Sequence, residues 1–426
     1  MYVPAPDVRG TATIDGRPAA RDVPDATPVR SASKRRLAIF SPFYHPEPIS
    51  TGKVNTLLAK EFVRQGWEID VVCSHPLYPE WKPRRSDSEL PSTTIYRGGG
   101  WVRYSASPML RRLGLEVWFA VHTVLNALRL PKDIDVALMV YPPSLFGPLV
   151  WLMLPRRVRK VALVHDLQSE YARHGFHAGA SMFTRLINRI ERRSLKGADR
   201  CIFFSNDIAR VAQNTLSLDG ELMVVQYPFV TINDDLPATD DLESVLPRGV
   251  RHVVYAGALG EKQNPYVLAK FMETAAQAMP DVRFHIFSAG PIFDSLRKQQ
   301  AAGCRLQLHG LLPEEQLSEM YARSAVQLVP QAPGTENGSL PSKLPNLLAA
   351  GVQILSIGSE TSEVATLLRT AGTGTLVDGW EEQAFLQGVA SALATATEVT
   401  PETRRANAAE VLQMCQVSSL AELIAG

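Results

Sequence analysis

A chain of 426 residues is too long for one ordinary hydrophobic core and fits two domains of roughly 150–200 residues each. Apolar residues make up 45% and charged residues 20%, a balance that excludes fibrous and fully disordered proteins. The formal net charge is only +1, yet residues 101–200 carry 16 Lys and Arg against 7 Asp and Glu. Such a basic block indicates an anionic partner, either phosphates or a membrane surface. The block contains no aromatic-interleaved RNA motif and no helix-turn-helix, so we expect no nucleic acid partner.

Cysteine usage and the N-terminal segment bear on the compartment. The four cysteines lie far apart in the sequence, and none forms a C-x-x-C pair. This pattern favours buried, reduced thiols in a reducing compartment, without a zinc site. Residues 1–34 are rich in Pro, Ala, Asp and Arg and lack an apolar run, so they are predicted to be disordered rather than a secretory signal. We therefore expect a cytoplasmic protein, at most peripheral on the inner face of the plasma membrane.

The most apolar stretch, Val136–Pro155, has about the length needed to cross a bilayer. Pro142, Pro143, Gly147 and Pro155 interrupt it. The pattern favours a strand, a turn and a helix over a membrane span.

Strand-like and helix-like segments alternate along the chain. The predicted strands are 37–40, 68–73, 135–140, 160–164, 199–204, 252–257, 282–287, 305–310, 326–330, 353–357 and 374–377. Apolar strands separated by helices indicate parallel sheets covered on both faces. An acidic, aperiodic segment at 228–250 is interpreted as a linker, which predicts an extension at 1–34, one doubly wound domain at 35–235 and a second at 236–426. The ligand is then expected at the carboxyl ends of the strands, in the cleft between the domains.

Three segments carry candidate anion sites. Gly52 lies where the loop after the first strand becomes a helix, so backbone N–H groups could face a phosphate, although a simple turn glycine explains it as well. Lys262 follows a strand and the glycines of YAGALGEKQNP, just before a helix. Lys343 lies in the first turn of KLPNLLAAG, with Asn346 on the same helical face. A lysine at a positive helix start suggests an anion between the two, or else a solvated side chain. The Rossmann G-x-G-x-x-G and the P-loop are both absent from the sequence, which argues against a dehydrogenase and a P-loop NTPase. We also expect no metal site.

Seven segments, in order, resemble the retaining GT-B glycosyltransferases of family 4, particularly those of colanic-acid and other exopolysaccharide pathways. They are FYHPEPISTGKVNTLLAKEFVRQGWEIDVVCSHPLYPEW (43–81), VYPPS (140–144), HDLQSE (165–170), AGALGEKQNP (256–265), FSAGP (287–291), LHGLLPEEQLSEMYARSAVQLVPQ (308–331) and LPSKLPNLLAAG (340–351). The resemblance covers residues 36–410. It implies an α/β GT-B fold, in which two doubly wound Rossmann-like domains face each other across a cleft. It also implies a nucleotide-diphosphate sugar as substrate, without a cofactor.

The resemblance also implies a set of donor-binding residues. They are Gly52, Gly257, Lys262, Gly290, His309, Glu336, Gly338, Ser339, Ser342, Lys343 and Asn346. Lys262 matches the family's diphosphate-binding lysine, while the basic residue that usually precedes it is lost near Ala258. The two carboxylates of the family's Glu-x7-Glu motif map onto Gly338 and Asn346, so neither is present. Glu336 lies two residues before the first position, and Lys343 matches the P-S-K variant of the exopolysaccharide members.

His165 and Asp166 follow the strand at 160–164 and are the candidate catalytic residues. In the family, a histidine at this place lies near the transferred sugar; a capping aspartate after a strand is the plainer explanation of Asp166. The resemblance implies little need for a protein base, because a donor phosphate oxygen can take the acceptor proton. The protein would then position the reactants and stabilise the leaving diphosphate without a metal ion.

The acceptor is expected to be a glycan, or a glycan linked to polyprenyl diphosphate, held by the basic N-terminal half. Basic residues accompany apolar ones there: Arg111, Arg112, Arg156, Arg157, Arg159 and Lys160 with Met109, Leu110 and Trp118. This composition fits peripheral membrane contact, or equally a solvated basic face over core aromatics. Two other functions stay open: a non-catalytic nucleotide- or glycan-binding relative in a biosynthetic complex, and a nucleotide-sugar 2-epimerase, which is disfavoured by the shortage of acids in the C-terminal motifs.

Overall fold

The computed structural model describes residues 34–47, 49–78, 80–105, 107–168, 181–232, 240–335 and 340–426. Residues 1–33 of the predicted N-terminal extension, and the predicted domain boundary at 235–236, lie outside the described residues. Residues 35–426 form one unit built on two parallel sheets.

The first sheet has seven parallel strands in the order β3-β2-β1-β4-β5-β6-β7. Its strands are β1 (Arg36–Phe40), β2 (Glu68–Ser74), β3 (Thr93–Gly98), β4 (Val136–Tyr141), β5 (Arg159–Val164), β6 (Arg200–Phe203) and β7 (Met223–Val225). The central strands are buried along almost their whole length. That burial explains their unbroken apolar sequences, since helices cover both faces of the sheet.

The helices of this half are α1 (Ser50–Arg64), α2 (Pro108–Ala127), α3 (Phe146–Met153), α4 (Ser181–Lys196) and α5 (Asn206–Leu216). α1 buries Val54, Leu58 and Phe62 at helical spacing and is followed by Gly66 in the left-handed conformation (φ 86°). The spacing of the apolar residues gives the helix its buried face, and the glycine follows its end.

The second sheet has six parallel strands in the order β10-β9-β8-β11-β12-β13. Its strands are β8 (Arg251–Ala256), β9 (Val282–Phe287), β10 (Gln307–His309), β11 (Val326–Pro330), β12 (Gln353–Gly358) and β13 (Thr375–Asp378). The helices in this part of the chain are α6 (Pro265–Ala278), α7 (Pro291–Gln299), α8 (Leu317–Arg323), α9 (Leu344–Ala350), α10 (Glu363–Thr370), α11 (Glu382–Glu398), α12 (Pro401–Asn407), α13 (Ala409–Gln413) and α14 (Val417–Ala425). In both sheets the order reverses between the first and fourth strands, so the two doubly wound sheets expected from the sequence are confirmed.

Two strands were not predicted from the sequence. β3 lies at the sheet edge with mostly half-buried residues, and β7 has only three half-buried residues, so neither shows an apolar run. The apolar stretch Val136–Pro155 forms β4, a turn and α3, as predicted. Within the described parts of the chain, no helix is long and apolar enough to cross a membrane. All four cysteines are free, and three of them are buried.

The last helix, α14, packs on the first half of the chain rather than on the second sheet. Its residues Leu420, Ala421 and Ile424 are fully buried in the core formed by β1, β2 and α1. The backbone carbonyl of Leu423 accepts a hydrogen bond from Arg159 at 3.3 Å. A further contact joins the halves where Glu363 on α10 accepts hydrogen bonds from the backbone and side chain of Asn206, at 2.8 and 2.7 Å.

Candidate functional site

A cavity of about 440 Å³ lies between the carboxyl ends of the two sheets. From the first half it is lined by Phe43, Ile49, Ser50, Thr51, Val54, Trp81, Arg112, Leu115, Pro142, Pro143, His165, Asp166, Gln168, Phe204 and Pro228. From the second half it is lined by Lys262, Gln263, Pro330, Gln331, Thr335, Leu340, Pro341 and Ser342. Many of these residues directly follow a strand, which is where parallel α/β sheets bind ligands. The cleft predicted from the sequence is therefore present.

The start of α1 forms one wall of this cavity. Ser50 and Thr51 line it, and no side chain caps the first turn, so the positive end of the helix faces the cavity. Gly52 allows the helix to start against the preceding loop, because a Cβ atom there would lie 2.7 Å from the carbonyl oxygen of Glu47. The Glu47 carboxylate is buried and accepts hydrogen bonds from the backbone N–H groups of Leu77 (2.6 Å) and Tyr78 (3.0 Å). Burial nevertheless raises the pKa of Glu47, since desolvation outweighs these bonds.

His165 lies at the end of β5, and its backbone N–H donates to Tyr141 at 3.0 Å. Its ring packs on Phe204, with the ring centres 4.6 Å apart. Among the described residues, no group forms a hydrogen bond to its buried Nε2. Burial lowers the pKa of His165 to about 3, so the imidazole is neutral at physiological pH. A neutral imidazole with an uncommitted nitrogen can orient a hydroxyl group of a ligand.

Asp166 and Lys262 form an ion pair across the cavity. Lys262 lies in a 3₁₀ turn at Glu261–Gln263, and its Nζ lies 3.2 Å from Oδ2 of Asp166. The side chains are 39% and 17% exposed, so solvent screens the pair only in part. The carbonyl of Lys262 accepts the N–H of Ala332 at 2.8 Å, which fixes the turn to the loop after β11. The candidate phosphate lysine is thus held beside the candidate catalytic residues.

Lys343 points at β8 and β11, the two central strands of the second sheet. It precedes α9, and its Nζ donates to the carbonyls of Leu328 (2.7 Å) and Ala256 (3.3 Å). The ammonium group also lies over the ring of Tyr255, 4.2 Å from the ring centre. Burial lowers the pKa of Lys343 to about 7. Two carbonyl dipoles and an aromatic face thus hold this group at the ends of β8 and β11.

Asn346 is buried on α9 and binds the segment that leaves the first half of the chain. Its Oδ1 accepts the backbone N–H groups of Thr231 (2.7 Å) and Ile232 (3.3 Å). Its Nδ2 donates to the Thr231 hydroxyl at 2.9 Å. Both ends of the amide are therefore used within the protein.

Comparisons with known proteins agree with this architecture. The family model described as Glycosyltransferase Family 4 matches residues 51–234, and the model described as Glycosyl transferases group 1 matches residues 250–395. The chain is 25% identical over 381 residues to a colanic acid biosynthesis glycosyl transferase, WcaI, of Escherichia coli K12. That match covers 84% of this chain and 92% of the relative.

The chain is a glycosyltransferase, with a family 4 domain at residues 51–234.

Solved structures show the same fold at low sequence identity. WaaG, a glycosyltransferase involved in lipopolysaccharide biosynthesis, matches with a TM-score of 0.67 and 13% identity, over 92% of this chain and 100% of its own. Sucrose-phosphate synthase from Thermosynechococcus elongatus matches with a TM-score of 0.67 and 15% identity, over 92% and 97%. Anabaena HepE, solved with UDP and glucose, matches with a TM-score of 0.61 and 14% identity, over 92% and 98%. The fold of this glycosyltransferase is therefore GT-B.

Two glycines among the predicted donor residues follow strands of the second sheet. Gly257 comes directly after β8 with φ of 139°, and its N–H donates to Phe287 at 3.0 Å. Gly290 immediately precedes α7 with φ of 106°. Both backbones lie in a region that side-chain-bearing residues rarely adopt. Neither glycine is among the residues that line the cavity.

His309 is the last member of a chain of three histidines across the second sheet of this glycosyltransferase. His252 Nδ1 lies 3.0 Å from His285 Nε2, and His285 Nδ1 lies 3.1 Å from His309 Nε2. The carbonyl oxygen of Pro247 lies 3.0 Å from His252 Nε2 and can accept a hydrogen bond from its N–H, which favours the Nε2–H tautomer in all three rings. His309 also stacks on Phe287, with ring centres 4.6 Å apart.

The other four predicted donor residues fall between β11 and α9 in the sequence. Ser342 lines the cavity. Glu336, Gly338 and Ser339 lie outside the described residues.

Several cavity residues were not predicted as donor-site or catalytic residues. Gln331 follows β11 with its backbone held by Ile357 (2.8 Å), and its side-chain oxygen is buried without a partner among the described residues. Its place directly after a buried strand is a signal that the strand-end rule could have used. Trp81 packs edge-on to Phe43, with ring centres 6.3 Å apart, and adds an aromatic wall that no local pattern marks.

A second ion pair bridges the two halves near α1. Lys53 Nζ lies 2.9 Å from Glu314 Oε2, which lies in a 3₁₀ turn before α8. The partners are 261 positions apart in the sequence, so no motif could reveal the pair.

The lining of the cavity is cationic overall. Lys262 and Arg112 supply positive charge, against the single carboxylate of Asp166 among the described lining residues. In the described ranges, no three His, Cys, Asp or Glu side chains cluster as a metal site would require. A positive helix end, a lysine and an arginine suit an anionic ligand such as a diphosphate.

Proposed function

We propose that this glycosyltransferase moves a hexose from a nucleotide-diphosphate sugar to a glycan or lipid-linked acceptor, with retention, in exopolysaccharide or related cell-surface glycan biosynthesis. The observation that carries the proposal is Lys262, held 3.2 Å from Asp166 in the cavity that the α1 start also faces. The name of the colanic-acid relative supports the glycan class.

The donor diphosphate would bind between Lys262 and the start of α1. In that complex the phosphates replace Asp166 as the partner of the lysine, and the N–H groups at Ser50 and Thr51 donate to the phosphate oxygens. The loop carrying Ser342 would contact the nucleoside or sugar. Lys343 would act without contacting the donor, by adding positive electrostatic potential at the ends of β8 and β11.

The chemical step needs positioning and charge stabilisation more than a protein base. The acceptor oxygen bonds to the anomeric carbon, the bond from that carbon to the diphosphate breaks, and the acceptor proton passes to a phosphate oxygen. The neutral His165 would orient a sugar hydroxyl through its uncommitted Nε2. Lys262 would stabilise the negative charge that develops on the leaving diphosphate.

The acceptor would enter from the first half of the chain. Trp81 and Phe43 offer apolar faces for a sugar ring, and Arg112 offers positive charge for a phosphate or diphosphate. The basic half would work on the cytoplasmic side, peripheral to the membrane.

Two measurements test the proposal. Thermal-shift screening against UDP, GDP and other nucleoside diphosphates identifies the base, and nucleotide release from matching sugar donors with a crude lipid-linked acceptor reports transfer. We expect stabilisation by one diphosphate, acceptor-dependent release and the same anomeric configuration in donor and product. Activity should persist in excess EDTA, and a strict Mn²⁺ requirement would overturn metal independence.

A non-catalytic role is the second candidate, and the Asn346 site favours it. The amide at the family's second carboxylate position is engaged by Thr231 and Ile232. Nucleotide binding without turnover across the donor panel, with an authentic acceptor, would decide for this role.

A further inference from the structure

The outer surface of α2 carries an apolar stripe that no other described part of the chain covers. It consists of Leu110 (53% exposed), Leu113 (46%), Val117 (50%), Val121 (56%), Leu125 (57%) and Leu128 (74%). The spacing of three or four residues places all six on one side of the helix. At 1.5 Å per residue the stripe is about 27 Å long. Monomeric proteins seldom expose such a continuous apolar strip without a partner.

The neighbouring helices extend this surface. α2 packs on α3, and α3 packs on α4, so the three helices form one layer over the first sheet. α3 adds Leu149 (44% exposed) and Leu152 (81%), and α4 adds Leu186 (53%). We call the outward side of these helices the α2–α4 face.

Charge on the α2–α4 face is of one sign. The three helices contain two acids, Glu116 and Glu191, and both point inward. Glu116 accepts the N–H groups of Ser144 and Leu145, at 2.9 and 2.8 Å. Glu191 is 2% exposed and accepts the N–H of Gln168 at 2.5 Å. The exposed charges are all basic: Arg112, Arg185, Arg189, Arg192, Arg193 and Lys196.

We propose that the α2–α4 face docks on the surface of an anionic lipid bilayer, with α2 lying in the interface and the arginines of α4 among the headgroups. Apolar stripes beside basic residues bind such surfaces through acyl-chain burial and attraction to anionic headgroups. A second copy of this chain fits poorly, because the same basic residues would face each other across the contact.

This inference deepens the proposed function, because it gives the acceptor an approach to the cavity. Arg112 and Leu115, in the first turns of α2, line the cavity, while the stripe continues along the same helix to Leu128. A lipid-linked diphosphate could then keep its chain in the bilayer beneath α2 and present its headgroup at Arg112.

Flotation of the full chain with lipid vesicles tests the docking directly. We expect binding to vesicles of phosphatidylcholine mixed with phosphatidylglycerol, weaker binding to phosphatidylcholine alone, and loss of binding as salt is raised. The substitutions V121Q/L125Q/L128Q change exposed residues away from the cavity and should weaken partitioning by about tenfold or more. The matched control Y266Q/L311Q/M414Q removes three apolar residues exposed in the second half, by 49%, 47% and 37%, and should bind like the wild type.

Two variants that remove arginines measure how much the basic residues contribute to vesicle binding. R192Q/R193Q should weaken binding to the anionic vesicles by about 30-fold, since each basic residue near an anionic surface contributes about 1 kcal/mol. The control R251Q/R297Q removes two exposed arginines of the second half and should have little effect.

Four results would overturn the proposal. They are a wild type that ignores anionic vesicles, a V121Q/L125Q/L128Q variant that binds like the wild type, a salt-insensitive interaction equal on both vesicles, and a wild type that is dimeric in light scattering while this variant is monomeric. Thermal shift with nucleoside diphosphates is measured on the same proteins. A chain that docks on vesicles but binds no nucleotide keeps this inference and loses the proposed function, and the reverse result does the opposite.

Discussion

The ion pair between Lys262 and Asp166 predicts opposite effects of its two partners on donor binding. If the diphosphate must displace Asp166 from Lys262, removing the carboxylate removes that competing ion pair and tightens binding. Removing the lysine takes away the ammonium group that would bind the phosphates. We therefore expect the D166N variant to bind the nucleoside diphosphate more tightly than the wild type, and the K262M variant to bind it more weakly.

The magnitudes follow from the geometry of the pair. The 3.2 Å contact involves side chains that are 39% and 17% exposed, so solvent screening leaves roughly 1 kcal/mol for the pair. D166N should therefore lower the dissociation constant of the diphosphate by about fivefold. A charge-assisted hydrogen bond contributes about 1.5–3 kcal/mol, so K262M should raise that constant by about 10- to 150-fold.

Isothermal titration with the best nucleoside diphosphate measures both changes, and the double variant completes the cycle. D166N has no lysine to release once K262M is present, so the double variant should bind like K262M alone. Weaker binding by D166N, or equal effects of D166N with and without Lys262, would refute the displacement of Asp166 by the diphosphate.

Three further predictions concern single residues. N346A removes the acceptor of the backbone N–H groups of Thr231 and Ile232. The cost of about 2 kcal/mol should lower Tm by about 4–8 °C. An unchanged Tm with lost nucleotide affinity would instead indicate a ribose contact. His165 stays neutral in the fold, and its pKa is lowered to about 3. As the pH falls from about 6.5 toward 3, His165 takes up a proton in the unfolded chain but not in the folded chain, so the folded state loses stability. H165Q should lose less Tm than the wild type between pH 6 and pH 4.5, and parallel curves would contradict this assignment. G52A forces a Cβ atom to 2.7 Å from the carbonyl of Glu47, so we expect a loss of about 1–3 kcal/mol in stability by urea unfolding and weaker diphosphate binding; a wild-type response in both would show that the helix start can shift freely.

The fold could be predicted because most of its strands form apolar runs in the sequence. Strands such as β4 and β12 are buried on both faces and therefore read as unbroken apolar runs. The edge strand β3 and the short β7 are half-buried, so their residues carry no comparable signal. Solvent on one side of a strand removes the constraint on composition that makes it recognisable.

The site was predictable at the level of loops and much less at the level of side-chain partners. Lys262 lies in the cavity, where the strand-end rule directs attention. Lys343 and Asn346 were singled out as lysine and amide at a helix start, but their partners are 15 to 115 positions away. Local pattern indicates that a group needs a partner; only the packing of distant strands decides whether that partner is a carbonyl, a loop or a ligand.

The position of α14 makes the folding of the first half depend on a segment that follows the second half in the chain. Leu420, Ala421 and Ile424 complete the core around β1 and α1, and they are synthesised only after all the strands of the second sheet. During synthesis the second sheet can form while the apolar surface beside α1 is not yet buried by α14. The first half therefore completes its core only after the second half has been made, and a cut ahead of Val417 should destabilise the first half while leaving the second half its own core.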